Sequence, residues 1–232
     1  MPVTSQPHPL PRTAEALAAA ELRAMIVRGE LAPGAKVHQG EAARSLGVSV
    51  VPVREALKTL AGEGIVTYSP QRGYFVSELP AERRAELYEV RELVEGEAER
   101  LGVPALGTEQ RETMRAQLRR QDRAVAERDA VEMIAANRVF HFAIFERCGN
   151  PWLVRFVAAL WDGLDPYRVL AYRRMWLEPS EDELPAEILA EHEAILTALE
   201  GGEGEPALRL LGEHRRRSEA FIAALAPAGE SH

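Results

Sequence analysis

Hydrophobic positions recur with a helical period over most of the chain. From Thr13 to Arg28 the residues Leu17, Leu22, Met25 and Ile26 line one face, and Thr13 with a nearby Glu marks a helix start. The two glycines and the proline of Gly29–Gly34 break the pattern. A short helix over Gly40–Leu46 stops at Gly47. The next opens after Ser49, a good N-cap, carries Pro52 in its first turn where a missing N–H costs little, and runs to Ala61 before Gly62. Within it Val53, Ala56, Leu57 and Leu60 sit at helical spacing and face inward. Ile65–Tyr68 and Tyr74–Val76 read as short strands, with Ser69–Gly73 as the turn between them. From Pro80 on the period is helical to the end. Six segments are predicted, over about 80–101, 107–127, 129–148, 150–176, 181–200 and 204–225, separated by Gly- and Pro-containing breaks. Residues 1–12, with four prolines, read as a disordered tail.

Helix, helix, turn, helix and β-hairpin is the order of a winged helix-turn-helix whose third helix enters a DNA groove. The six later segments pack most economically as an antiparallel helical bundle. The expected fold is therefore mainly α, with a winged helix-turn-helix over 13–78 and an all-α domain over 79–227. Val50, Arg54 and Lys58 fall at i, i+4 and i+8 on one face of the third helix, and Arg72 sits at the hairpin tip. An arginine early in such a helix can reach guanine O6 and N7, and a wing-tip arginine can enter a minor groove or meet phosphate. The same charges also suit an ordinary solvated helix face.

Charge distribution sharpens the division. The net charge is -8, yet residues 1–77 carry +2 and the remainder -10, so a mildly basic N-terminal piece precedes an acidic body. The single cysteine, Cys148, excludes a disulfide framework within one chain and a Cys-rich zinc module. The N-terminal MPVTSQPHPLPR lacks the apolar core of a signal peptide, and the most apolar stretch, Trp152–Trp161, is about half a membrane span. A cytoplasmic protein without a membrane partner is expected.

Candidate chemistry lies in the helical half. His8 and His232 lie in tails and His38 precedes the second helix, which leaves His141, His192 and His214. Asn137 and His141, four apart, share a helix face, and His192 and His214 lie on the last two helices. Three imidazoles and an amide oxygen converging inside a bundle would hold a first-row transition ion. Histidines satisfied in a core, or exposed beside Glu191 and Glu193, explain the same spacing. Arg91, mid-helix, would suit a carboxylate ligand through a bidentate contact, or form a surface i, i+4 pair with Glu95. Trp161, Tyr167, Arg168, Tyr172 and Trp176 on one long segment read as core or as a pocket wall with a few polar groups. No G-x-S-x-G, P-loop, Rossmann fingerprint or H-E-x-x-H is present, so an enzyme is not expected; a metal-dependent enzyme with a degenerate DNA-binding domain is the alternative.

Leu31-Ala32-Pro33-Gly34, Leu46-Gly47-Val48-Ser49, Pro52-Val53-Arg54-Glu55-Ala56-Leu57, Leu60-Ala61-Gly62-Glu63-Gly64 and Arg72-Gly73 closely resemble the N-terminal domain of GntR-type bacterial transcription regulators. Phe140-His141, Gly149-Asn150-Pro151, Glu191-His192 and His214 fall where the hallmarks of the FadR-like (FCD) effector domain are expected, and six helices resemble its shorter, VanR-like form. The resemblance implies a homodimeric repressor on a pseudo-palindromic double-stranded operator, released or tightened by a small organic acid. It implies a divalent metal (zinc foremost; nickel, manganese or iron otherwise) on Asn137, His141, His192 and His214. The effector would meet Arg91, with Arg168 and Tyr172 on the pocket wall, and DNA would meet Ser49, Val50, Arg54, Lys58 and Arg72. Two departures stand out. Asn137 replaces the family's usual Asp and brings no charge. Val50 replaces a usual arginine, and Val51 a frequent threonine, so Val50 can offer only an apolar contact such as a thymine methyl.

Overall fold

The computed structural model describes residues 13–78, 81–177 and 183–225; the tail expected over 1–12 lies outside them. The chain divides into two units, one of the residues up to Ile26 with Glu30–Ser77, the other of Val27–Gly29 with the chain from Glu78 on.

The first unit contains α1 (Ala14–Val27), α2 (Gln39–Leu46) and α3 (Val50–Gly62). The Thr13 hydroxyl accepts the Ala16 N–H at 3.1 Å and so starts α1. Gly47 takes a left-handed conformation (φ 65°) that a side chain would oppose, and ends α2. Val53, Ala56, Leu57 and Leu60 of α3 are fully buried, against Leu22 and Ile26 of α1. Leu17, expected on that inner face, is instead 50% exposed. The buried line of α1 runs Ala18, Leu22, Ile26 at i, i+4 and i+8, and Leu17 lies about 100° around the helix from it.

A three-stranded antiparallel sheet completes the unit, in the order β1 (Lys36–Val37), β3 (Gly73–Val76), β2 (Val66–Ser69). Tyr68 stands opposite Tyr74 and Ser69 opposite Gly73; Val37 pairs with the other side of Tyr74. β1 was not expected, because two residues are too few to show a period of two. In the hairpin turn the Arg72 N–H donates to the Ser69 carbonyl at 3.1 Å, with Pro70 second and Gln71 third at φ 63°, the pattern of a type II turn. Arg72 is thereby presented at the tip of the wing.

The second unit contains α4 (Ala81–Gly102), a single 3-10 turn (Val103–Ala105), α5 (Thr108–Glu127), α6 (Ala130–Phe145), α7 (Pro151–Met175), α8 (Glu183–Glu200) and α9 (Gly204–Leu225). Among the described residues it has no strand, and its six α-helices coincide with the six predicted segments. Their starts are set locally. The Asp129 carboxylate accepts the N–H groups of Val131 and Glu132, both at 3.0 Å. The Asn150 side-chain oxygen accepts those of Trp152 and Leu153 at 3.1 and 3.3 Å, with Pro151 at the first helical position. Phe140, Ile144, Ile195 and Leu211 fill one part of the core, and Met133, Val169, Met175 and Ile222 another. Arg138 of α6 joins both Asp162 (2.8 Å) and Asp165 (2.9 Å) of α7. Among the described residues no helix is long and apolar enough to cross a membrane.

Gly102 closes α4 with an ordinary helical φ of -80°, so its need is spatial. A Cβ there would run into the backbone carbonyl of Ile144 on α6. Gly102→Ala should destabilise the protein by about 1–3 kcal/mol in urea unfolding, the usual scale of overpacking against backbone. An unchanged midpoint would show that α4 and α6 separate there without cost.

Candidate metal centre and nucleic-acid interface

His141 of α6, His192 of α8 and His214 of α9 meet in the interior of the second unit, all buried. The Nε2 atom of His192 lies 3.3 Å from that of His141 and 3.1 Å from that of His214. The outer nitrogens explain the orientation. His214 Nδ1 is 2.7 Å from a Glu191 carboxylate oxygen, and His192 Nδ1 is 2.7 Å from the Gln121 side-chain oxygen. Both oxygens can only accept, so both Nδ1 atoms carry the proton. Burial, reinforced by the neighbouring imidazoles, holds His141 and His192 well below their ordinary pKa, so both are neutral.

Three imidazoles whose nitrogens converge, two of them with outer nitrogens fixed by a carboxylate and an amide, could hold a divalent transition metal. Ligands bound tetrahedrally at about 2.0–2.1 Å stand about 3.3 Å apart, which matches the spacing found. Asn137, one turn before His141, is half-buried and lines the same cavity.

That cavity, of about 70 Å³, is also lined by Arg91, Arg168 and Tyr172, so the structure brings the predicted metal and effector residues to one place. Arg91 does pair with Glu95, at 2.6 and 3.0 Å, but deep inside rather than on the surface. Glu95 also accepts the Trp161 indole N–H at 2.8 Å. Arg168 donates to Asp165 at 2.9 Å and its guanidinium lies 4.1 Å from the Trp161 ring centroid. Each arginine keeps one buried N–H without a partner: Nη1 of Arg91 and Nε of Arg168. Burial raises the pKa of Tyr172, which stays a neutral phenol.

Gln121, Glu99 and Arg215 escaped the sequence reading, and Glu95 entered it only as a surface partner of Arg91. Gln121 is a polar residue on an amphipathic helix, and nothing in its surroundings along the chain points to His192. Glu95 and Glu99 continue the Arg91 face at i+4 and i+8, a periodicity that a search for buried charge would have caught. Arg215, beside His214, reaches Glu92 at 2.7 Å and Glu99 at 2.8 Å.

In the first unit, Ser49 precedes α3 with an extended backbone, and its hydroxyl does not cap the helix. Val50, Arg54 and Lys58 share the exposed face as expected. Glu55 lies between the two cations, 3.4 Å from Arg54 Nε and 3.0 Å from Lys58 Nζ. The Lys58 hydrogen bond, helped by Arg54, holds the Glu55 carboxyl below its usual range. Arg72 stands apart on the wing, its guanidinium 5.1 Å from the Phe75 ring centroid.

Residues 15–76 match the family described as bacterial regulatory proteins, gntR family, and residues 86–217 match the FCD domain. The chain is a GntR-family transcriptional regulator with an FCD domain. A Streptomyces ambofaciens protein named as an uncharacterized HTH-type transcriptional regulator in an unstable DNA locus is 34% identical over 200 residues, covering 84% of this chain and 79% of its own. The HTH-type transcriptional regulator McbR of Escherichia coli is 27% identical over 87% of this chain and 89% of its own. The solved McbR structure shares the fold at a TM-score of 0.79 and 24% identity, covering 90% and 97% of the two chains. The HTH-type transcriptional repressor GlaR of Escherichia coli is 26% identical over 82% and 86%. These relatives are regulators by name, and the enzyme alternative is set aside for this GntR protein.

One buried acid of the regulator has a measurable signature. Glu99 faces Arg215 across from α9, with Glu95 and Glu92 on its own helix. Burial outweighs Arg215 and pushes the Glu99 carboxyl from 4.5 up to about 7. The folded chain thus holds this proton more tightly than the unfolded chain. The stability so contributed is complete below about pH 4.5 and is lost as pH rises through about 7. In urea unfolding from about pH 5 to about pH 8, the wild type should lose up to about 3 kcal/mol relative to Glu99→Gln. Parallel profiles for the two proteins would show that Glu99 is ionised throughout.

Proposed function

We propose that this GntR regulator is a cytoplasmic, homodimeric repressor whose hold on a pseudo-palindromic operator is set by a small carboxylate bound beside a divalent metal, with residues 13–78 reading DNA and 79–227 sensing the effector. The observation that carries the reading is one cavity holding converging imidazole nitrogens and two buried guanidinium N–H groups without partners. His141, His192 and His214 would hold the ion, zinc foremost, with the Asn137 oxygen as an uncharged fourth donor. When bound, the ion supplies a Lewis-acidic anchor for a carboxylate oxygen. The free N–H groups of Arg91 and Arg168 donate to that carboxylate, and Glu95 holds the Arg91 fork in place from behind. Trp161 walls the site, and Tyr172 offers a neutral hydroxyl.

Regulation requires that the effector bind the DNA-competent and DNA-incompetent dimers with different affinity, on the usual scale of about 1–3 kcal/mol. α4 and α7 pack on each other and both expose apolar side chains, Val90 and Leu93 on one and Trp152 and Phe156 on the other; a second copy of this chain covers them. On DNA, Arg54 reads or anchors the major groove after leaving Glu55, Lys58 and Ser49 meet the backbone, and Arg72 contributes from the wing. The relative named as a repressor supports the sign of regulation.

Two measurements test this. Arg54→Ala should weaken binding to the selected operator by about tenfold or more with unfolding unchanged; equal affinity would remove Arg54 from the interface. His192→Ala should lose the metal found by elemental analysis of protein loaded with zinc, nickel or manganese in turn. A full metal complement in that variant would exclude the ligand set.

A further inference from the structure

We propose that Val50 and Val51 make this regulator a reader of pyrimidine C5-methyl groups in the major groove, an inference that rests on the DNA-binding reading above. Val50 and Val51 open α3 and are 46% and 57% exposed. The core of their unit is filled by Val53, Ala56, Leu57 and Leu60 of the same helix, so neither valine is needed there. Arg54 stands one turn beyond Val50 and Lys58 two turns, each with more than half its side chain exposed. Val50 therefore begins the line that carries Arg54 and Lys58, while Val51 stands about 100° around the helix from it, with Glu55 one turn beyond.

The cationic part of such a face suits phosphates, whose attraction is blind to sequence. The apolar part has a narrower use. Valine carries no side-chain donor or acceptor, so the hydrogen-bonding edges of guanine, adenine and cytosine are closed to it. The apolar group on the major-groove edge is the thymine C5-methyl. 5-Methylcytosine carries the same group at the same ring position, and uracil lacks it. Both valines are β-branched and stiff about χ1, so little side-chain freedom is lost when they settle against a methyl. Two adjacent positions on the first turn allow neighbouring bases to be read together.

The test begins with duplexes that the full-length protein retains from a random pool at one fixed, near-physiological salt concentration. Each thymine of the enriched half-site is then replaced by deoxyuridine. Loss of a contacted methyl should lower affinity about fourfold, the factor that burial of one such group confers. 5-Methylcytosine in place of cytosine at a contacted position should raise affinity by a similar factor. The double variant Val50→Ala/Val51→Ala, altered only at exposed positions, should unfold like the wild type and bind thymine and deoxyuridine duplexes equally. Wild-type binding that is unchanged when every thymine is deoxyuridine overturns this proposal and leaves the DNA-binding reading standing. Failure to retain any duplex overturns both.

Discussion

A charge moved from water into a protein interior costs several kcal/mol unless a partner is built beside it. The helical unit takes on that cost three times around one cavity, with Arg91 against Glu95, Arg168 against Asp165 and Arg215 against Glu99. The Arg91 and Arg168 pairs each lie within one helix, α4 and α7, whereas the Arg215 pair joins α9 to α4 and so constrains how those two helices lie. The histidine cluster adds α6 and α8 and is held from outside by Gln121 of α5 and Glu191 of α8. All six helices of the unit thus contribute to one polar centre, while the apolar clusters around it supply the bulk of the stabilisation.

What the pairs leave over matters for function. Glu95 satisfies one edge of Arg91 and the Trp161 indole together, and Asp165 satisfies one end of Arg168. The remaining guanidinium nitrogens, Nη1 of Arg91 and Nε of Arg168, have no hydrogen-bond partner within the protein, and both residues line the cavity. Beside them the ring nitrogens of His141, His192 and His214 converge as three atoms able to ligate a cation. Donors for an anion and ligands for a cation thus stand side by side in one interior.

The DNA-reading unit follows the opposite logic. Its core is apolar, and its cations meet acids at the surface, Arg54 and Lys58 against Glu55 along α3 and Arg23 of α1 against Glu63 at the end of α3, where an ion pair contributes little. Glu55 pairs with both Arg54 and Lys58 on the exposed side of α3. Family membership explains the shape of this unit. Val50 and Val51, exposed at the start of α3, take no part in the core that holds that shape.

Element type and order were legible in the residues themselves, because helix periodicity, Asp129, Asn150-Pro151 and Gly47 act within a few positions of where they stand. So were His141, His192 and His214, although only as residues on separate helices. The misses have local causes: β1 is too short for a period, and Leu17 lies one step off a buried line whose exact direction depends on what α1 packs against. Tertiary structure alone decided the polar partners. Gln121 meets His192 across 71 residues, Trp161 meets Glu95 across 66 and Arg215 meets Glu99 across 116. A hydrophobic period states which face of a helix turns inward. It cannot state which buried polar group that face will find, because that depends on the axial offset and rotation of helices remote in sequence. Whether Arg91 pairs on the surface or in the interior was therefore open in the sequence, and was decided by the packing of α4 against α7 and α9.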